Sequence, residues 1–274
     1  MFKADKTAAL EQIKQDILQS SKYKHICPDL ISYIGAQELD KRRTLKEAIK
    51  ATRSKLHQIG GAYLDRSETF TNWLELLQGA LQAEEPDKIK QACAEIMTNH
   101  ASTRERLPIL TEFYSSIFSQ LPPIHSVLDI ASGLNPLALP WMPLPTNCTY
   151  HAYDIYQHMI NFINAYFQLS KRPGEARMCD VIQTSPTETV DLALVLKVLP
   201  TLEQIEKNAA HRLIHTIHAH HIVVSYPIHS LSGRNKGMAA NYEKHFAQLV
   251  QNDHWDTYKL EFPTELVFII QTNQ

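Results

Sequence analysis

Along the first hundred residues, apolar positions recur every three or four places; beyond residue 120 they gather into short runs divided by turn residues. The first pattern predicts amphipathic helices and the second buried strands. Leu10, Ile13, Ile17 and Leu18 fall on one face of a helix within residues 1–20. The Cys27, Pro28, Asp29 sequence interrupts it, and Pro28 suits a new helix start carrying Leu30, Ile31 and Ile34. Thr44 and Glu47 are spaced as a capping box ahead of a helix with Leu45, Ile49 and Leu56 on its apolar side. Two more helices are expected over Phe70–Ala83 and Pro86–Asn99. Residues 100–120 carry an apolar stripe of Leu110, Phe113, Tyr114, Ile117 and Phe118 that reads as helix packing.

From there strands and helices alternate. Strands are expected over Val127–Ile130, Tyr150–Tyr153, Arg177–Cys179, Leu192–Leu196 and Ile222–Ser225. Helices are expected after Pro136 and over Gln157–Leu169, Leu202–Ile217 and Met238–Val250, and closing strands over Tyr258–Phe262 and Leu266–Gln271. Such alternation means an α/β fold built on a parallel sheet. The chain therefore divides into an α-helical part, 1–104, and a Rossmann-like α/β part, 105–274.

The stretch from Ser126 to Pro136 organises the second part. It is a buried strand running into a small-residue loop, where Gly133 permits close backbone approach and Pro136 starts the next segment. Further acids close the following strands: Asp154 lies 25 residues after Asp129, and Asp180 lies 26 after Asp154. This is the beat of βα units of about 30 residues. An acid at the end of the second strand suits the hydroxyls of a ribose. The first loop lacks G-x-G-x-x-G, which disfavours a pyrophosphate. A nucleoside cofactor without phosphates fits better, which points to S-adenosylmethionine.

Composition adds exclusions. At 44% hydrophobic and 20% charged residues the 274-residue chain is an ordinary globular protein. No apolar run reaches the roughly 18 residues of a membrane span, and the N-terminus has no apolar signal core. Four scattered cysteines without a C-x-x-C pair read as reduced thiols in the cytoplasm. The net charge of −2 is unevenly spread: residues 1–104 hold 16 Lys/Arg against 14 Asp/Glu, leaving +2 there and −4 in the remainder. Within residues 41–55, seven basic residues face Glu47 alone, and Lys46, Lys50 and Arg53 share one helix face. That face, with Lys55, is either a solvated surface or a phosphate-contacting one. His211, His215, His218, His220 and His221 crowd one stretch. A metal site there lacks a supporting Cys or H-E-x-x-H pattern, and a titrating surface helix is the reading kept.

Four stretches carry a specific resemblance: His100–Leu107, Val127–Leu139, Leu192–Pro200 and Val224–Tyr242, with weaker echoes over Lys55–Tyr63 and Thr264–Ile269. In these the chain resembles the aminoglycoside-resistance 16S rRNA (guanine-N7) methyltransferases; Ser132 stands where many relatives are expected to carry Cys. The resemblance implies a class I methyltransferase core behind an N-terminal α-helical domain. It also implies S-adenosylmethionine as cofactor and, as substrate, a decoding-site guanine of 16S rRNA in the assembled 30S subunit. The consequence would be aminoglycoside resistance; the alternatives are a methyltransferase for another rRNA base or a small molecule, or a non-catalytic RNA-binding protein.

Residue by residue, the resemblance assigns Asp129, Ser132, Gly133 and Asn135 to the cofactor, the last three at its methionine end. Asp154 and Ile155 would hold the ribose and one adenine face, the alternative for Asp154 being a helix cap. Asp180 and Val181 would meet the adenine, the alternative for Asp180 being a turn residue. Arg104 would approach the cofactor carboxylate. Lys197, closing an apolar strand where burial needs a partner, would contact cofactor or substrate or fix the pocket; the alternative is a snorkelling surface lysine. Ser232, Arg234 and Lys236 would bind phosphate or the guanine edge, and Met238 would pack on an extruded base or simply fill the core. Lys46, Lys50, Arg53 and Lys55 would meet rRNA phosphates. Guanine N7 has an in-plane lone pair and no proton to lose, so no general base is required, and Lys197, Arg234 and Met238 would act by positioning.

Overall fold

The structure, a computed structural model, describes residues 3–61, 70–228 and 237–273. Helices α1 (Lys3–Leu18), α2 (Pro28–Lys41) and α3 (Leu45–Leu56) are followed by a π-helical turn, His57–Gly61. Pro28 opens α2 behind Cys27, where its missing N–H costs no helical bond. Thr44 and Glu47 close the capping box of α3: the Glu47 amide donates to Thr44 Oγ1 at 3.2 Å, and the Thr44 amide donates to Glu47 Oε2 at 3.3 Å. Helices α4 (Phe70–Gln82), α5 (Pro86–Met97), α6 (Ala101–Arg106) and α7 (Leu110–Phe118) come next, the last two joined by a single 3-10 turn.

The sheet follows: β1 (Ser126–Ile130), β2 (Thr149–Asp154), β3 (Gly174–Met178), β4 (Thr189–Leu196), β5 (His218–Pro227), β6 (Asp256–Glu261) and β7 (Glu265–Gln271). Helix α8 (Gln157–Leu169) joins β2 to β3; α9 (Leu199–Glu203) and α10 (Ala209–Thr216) lie between β4 and β5; α11 (Met238–Leu249) precedes β6. The strand order is β3-β2-β1-β4-β5-β7-β6. The first five strands are parallel, and β7 runs antiparallel between β5 and β6.

Two expected helices differ. The segment after Pro136 is a 3-10 helix, Asn135–Trp141, because Pro140 sits inside it and cannot donate an i→i−4 bond. The expected Leu202–Ile217 helix is broken into α9 and α10. The intervening segment turns so that Glu206 meets Tyr33 of α2 and Arg212 of α10.

The core lies on both faces of the sheet, set by the two-residue period of its strands. Leu128, Val224, Phe268 and Ile270 face one cluster; Val127, Val223, Val267 and Ile269 face the other. Helices α1 to α3 pack into the first cluster through Ile13, Leu30 and Leu56, and α4 and α5 into the second through Trp73, Leu77 and Ile96. The N-terminal helices thus share the two core clusters of the sheet, α1 to α3 packing on one another, α4 on α8 and α5 on the 3-10 helix, and residue 104 falls within α6.

Candidate functional site

The strand order reverses between β1 and β4, and ligands of such sheets bind at the carboxyl ends of the strands beside that reversal. A cleft of about 1050 Å³, its open mouth included, lies there. Its floor is the loop after β1. Ala131 and Gly133 both take left-handed backbone, at φ +52° and +50°. The Ser132 amide donates to the Tyr153 carbonyl of β2 at 2.9 Å, and the Gly133 amide donates to Asp154 Oδ2 at 2.9 Å.

Asp154 ties two loops together. Its Oδ1 accepts the amides of Ile155 (2.7 Å) and Tyr156 (3.2 Å), while Oδ2 takes Gly133. Burial raises its pKa, opposed by these three amides. Asp154 therefore caps the turn before α8 and lines the cleft at once. Asp180 does the same after β3: it accepts the Ile182 amide at 3.0 Å and the Gln183 side chain at 2.7 Å, and burial raises its pKa.

Beneath the first loop lies a buried polar network. Asp129, pushed up to about 6 by burial against the opposing bonds from Asn135 and Tyr150, accepts Asn135 Nδ2 at 2.9 Å and the Tyr150 hydroxyl at 2.7 Å. Asn135 Oδ1 in turn accepts Arg106 Nη1 at 3.1 Å and the Tyr114 hydroxyl at 2.6 Å. Arg106, 1% exposed, forks onto Glu265, 0% exposed, at 2.7 and 2.9 Å. Lys197, in left-handed backbone with its side chain 6% exposed, reaches Glu265 at 3.2 Å and Glu105 at 2.9 Å. Burial alone would raise the Glu265 pKa, but Arg106 and Lys197 outweigh it and hold the carboxyl below its usual range.

His100 stands behind Gly133. Burial, with the charges of Arg106, Lys197 and Arg104, pushes its imidazole down to about 4, so it is neutral at pH 7. A Cβ on Gly133 would lie 2.7 and 2.8 Å from the His100 ring, at a φ that side chains seldom adopt. Gly133→Ala is therefore expected to destabilise the protein by about 1–3 kcal/mol and to weaken S-adenosylhomocysteine binding. Urea unfolding and calorimetric titration check both.

The structure brings Asp129, Ser132, Asn135, Asp154, Ile155, Asp180, Val181 and Lys197 to one cleft, with Gly133 in its floor loop. Arg104 lies apart from it: exposed, it donates to the Thr98 carbonyl at 3.0 Å, and Arg106 takes the inward place two residues on. Met238 is the half-buried first residue of α11 and lies outside the cleft lining. Ser232, Arg234 and Lys236 lie outside the described residues. On α3, Lys46 and Lys50 are exposed with no carboxylate partner among the described residues, whereas Arg53 pairs with Asp16 at 2.6 Å and Lys55 with buried Glu38 at 3.2 Å. His211 and His215 stack with ring centroids 4.0 Å apart, and His215 Nε2 meets Asp253 at 2.9 Å. His218, His220 and His221 belong to β5, not to that helix. Among the described residues no three His, Cys, Asp or Glu side chains converge as metal ligands.

Sequence reasoning found nothing of the site in residues 1–99, yet Leu30, Ile59 and Gly60 line the cleft. The Cys27 amide donates to the Ile155 carbonyl at 2.7 Å, and the Gln157 amide donates to the His25 carbonyl at 2.8 Å, which seats the start of α2 beside Asp154. Glu265 was also missed, and Arg106, which suits an ion pair and makes one here, was not placed at the site. Arg106 had a legible signal, since it lies in helical phase with Leu110, Phe113 and Ile117, a cation on an apolar stripe.

The site suits a nucleoside cofactor. Ser132 Oγ is buried in the lining without a hydrogen-bond partner among the described residues, as a group awaiting a ligand would be. Asp154 and Asp180 offer carboxylates to hydroxyl and amine donors, and Ile155, Val181, Ile182 and Leu202 offer apolar walls. Three aspartates in one cleft oppose a pyrophosphate. Strand order, antiparallel β7 and this cleft define a class I methyltransferase that uses S-adenosylmethionine. The chain belongs to the family described as ribosomal RNA methyltransferase (FmrO), whose model matches residues 19–269. It is 33% identical, over 96% of each chain, to a 16S rRNA (guanine(1405)-N(7))-methyltransferase of Micromonospora echinospora. It is 35% identical to one of Serratia marcescens, over 94% of this chain and 96% of that one. The crystal structure of the 16S rRNA methyltransferase RmtF in complex with S-adenosyl-L-homocysteine superposes with a TM-score of 0.81 at 29% identity, covering all of both chains.

Proposed function

We infer that this protein transfers a methyl group from S-adenosylmethionine to N7 of guanine 1405 of 16S rRNA. The observation that carries the reading is the near full-length match to relatives of that named activity, supported by a cleft at the strand ends whose lining suits a nucleoside. The assembled 30S subunit in the cytoplasm is the proposed setting, and resistance to aminoglycosides that bind the decoding site is the proposed consequence.

S-adenosylmethionine, when bound, supplies an electrophilic methyl group on a sulfonium centre. Asp154 and Ile155 would hold its ribose, Asp180 and Val181 its adenine, and Ser132 and Asn135 its methionine end. Guanine N7 offers a lone pair and no proton, so the chain has to supply orientation and electrostatics and no base. The paired Lys197 and Arg106 fix the floor through Glu265 and Asn135. We propose that Ser232, Arg234, Lys236 and Met238 belong to the face that receives the target base.

The N-terminal helices would dock the protein through rRNA phosphates. Among the described residues Lys46 and Lys50 are the two members of that basic face without a carboxylate partner, because Lys55 is committed to Glu38 and Arg53 to Asp16. Reversing both, Lys46→Glu with Lys50→Glu, is expected to weaken binding to small subunits. The slope of log affinity against log salt should become shallower by about 2, near 1 per lost phosphate contact. Cofactor affinity should stay unchanged. Filter binding across a salt series tests this, and an unaltered slope would remove α3 from the interface.

A further inference from the structure

Beyond the residues that line the cleft, three side chains outside it converge on its adenine-side wall. The loop after β3 supplies Cys179, Asp180, Val181 and Ile182 to that wall. Cys179 gives its amide to the Asp154 carbonyl at the start of the loop, while Gln183 and Thr184 return theirs to the Asp180 carbonyl within it. The loop is pinned from outside. Arg212 of α10 donates Nη2 to the Ile182 carbonyl at 2.7 Å. The same guanidinium forks onto Glu206, with Nη2 to Oε2 at 3.0 Å and Nη1 to Oε1 closer still. Glu206 Oε2 also accepts the Tyr33 hydroxyl of α2 at 2.5 Å. A second strut runs from Gln183 Nε2 to the Asp29 carbonyl of α2 at 3.2 Å and to Asp180 Oδ2 at 2.7 Å.

The arrangement has a geometric logic. Ile205 lines the cleft and Glu206 is its neighbour; Leu30 lines it and Tyr33 is one helical turn on; Ile182 lines it and bonds Arg212 directly. Three separate wall segments are thus joined through one carboxylate. Arg212 and Tyr33 hold the Glu206 carboxyl below its usual range, so it is ionised at neutral pH. The break between α9 and α10, where a continuous helix was expected, is what brings Glu206 within reach of Arg212 and Tyr33. Arg212 and Glu206 side chains are 41% and 28% exposed. Ion pairs so exposed contribute little to stability, so global folding is a poor explanation for a shared carboxylate, a bidentate fork and a backbone contact at this point.

We propose that Arg212, Glu206 and Tyr33 are positioning residues that fix the 180–183 loop and seat α2 against it, and so set the affinity of the protein for its cofactor. None of the three lines the cleft, so the effect is exerted on the position of Asp180, Val181 and Ile182. The inference requires a nucleoside ligand in this cleft and is independent of which base receives the methyl group.

Calorimetric titration of the full-length protein with S-adenosylhomocysteine tests it. Arg212→Gln removes the charged donor and is expected to weaken binding about tenfold, the loss of one charge-assisted hydrogen bond. Tyr33→Phe, which keeps the ring, is expected to weaken it about threefold. Because both act through Glu206, the double variant should lose less than the product of the two. Arg212→Lys should recover part of the loss. In turnover, KM for S-adenosylmethionine should rise while kcat at saturating cofactor stays within about twofold, since the loss is one of binding. A general loosening of the fold would lower kcat as well. Unchanged affinity in folded Arg212→Gln and in Tyr33→Phe would overturn the proposal, as would a fall in kcat with KM unmoved. Should Arg212→Gln fail to fold, Tyr33→Phe and its KM decide alone. A wild-type protein that bound no S-adenosylhomocysteine would contradict the proposed function and this inference together.

Discussion

Glu265→Gln is expected to lower the unfolding free energy by about 3–5 kcal/mol, the typical cost of removing one partner from a buried ion pair. The carboxylate is fully buried and is shared between the Arg106 fork and Lys197. Neither cation can turn to water: Arg106 is 1% exposed and the Lys197 side chain 6%. Lys197 keeps Glu105, and Arg106 keeps Asn135, but the guanidinium loses its only carboxylate among the described residues. The strain should pass to the floor of the cleft, because Arg106 and Asp129 hold the two ends of the Asn135 side chain. Urea unfolding at pH 7 measures the loss. A change below about 1 kcal/mol, the range of exposed pairs, would show that the network is not the keystone of this end of the sheet. Replacing both partners by apolar residues, Arg106→Met with Glu265→Leu, should recover part of the stability, as apolar replacements of buried pairs often do.

The second large effect falls on Asp154. Its alanine variant is expected to weaken S-adenosylhomocysteine binding by about 100-fold, which corresponds to two charge-assisted hydrogen bonds. One carboxylate organises both loops that frame the nucleoside: it receives Gly133 from the first and Ile155 and Tyr156 from the second. Without it the Gly133 amide is left buried and unmatched, and the loop after β1 loses its link to the loop after β2. Asp154→Asn keeps one acceptor oxygen and should lose less. Binding to small subunits should be unaffected in both, since Asp154 is buried in the cleft and makes no bond to the exposed basic residues of α3. Titration calorimetry for the cofactor and filter binding for the subunit separate the two. Loss of subunit binding together with cofactor binding would mean that the two surfaces are not independent.

Much of this was legible in the chain because it rests on local rules. The acids at the strand ends are spaced by the βα repeat, so Asp129, Asp154 and Asp180 arrive at one edge of the sheet without any tertiary information. The capping box of α3 and the proline start of α2 are likewise local, and both stand in the structure. What escaped depends on long-range partners. Glu265 lies 159 residues from Arg106, and although Arg106 is legible as a cation on an apolar stripe, nothing marks Glu265 as its partner. The part of α2 in the cleft wall depends on Cys27 and His25 pairing with the segment after β2, an alignment that periodicity cannot supply. Arg104 and Arg106 sit two residues apart on one short helix; the residues suit both to ion pairs, and only the resemblance pointed to the outward one at the cofactor. The helix expected after Pro136 overlooked Pro140, four residues on, which was readable as a helix breaker.

The proposed activity is methyl transfer to one atom of one base. The direct measurement incubates the protein with isolated 30S subunits and S-adenosylmethionine labelled in its methyl group, then maps the modified nucleotide. Label is expected at N7 of guanine 1405 of 16S rRNA, strongly reduced by Asp154→Ala at cofactor concentrations that saturate the wild type. Label on another base, or no transfer by a protein shown to bind S-adenosylhomocysteine, would contradict the proposed activity.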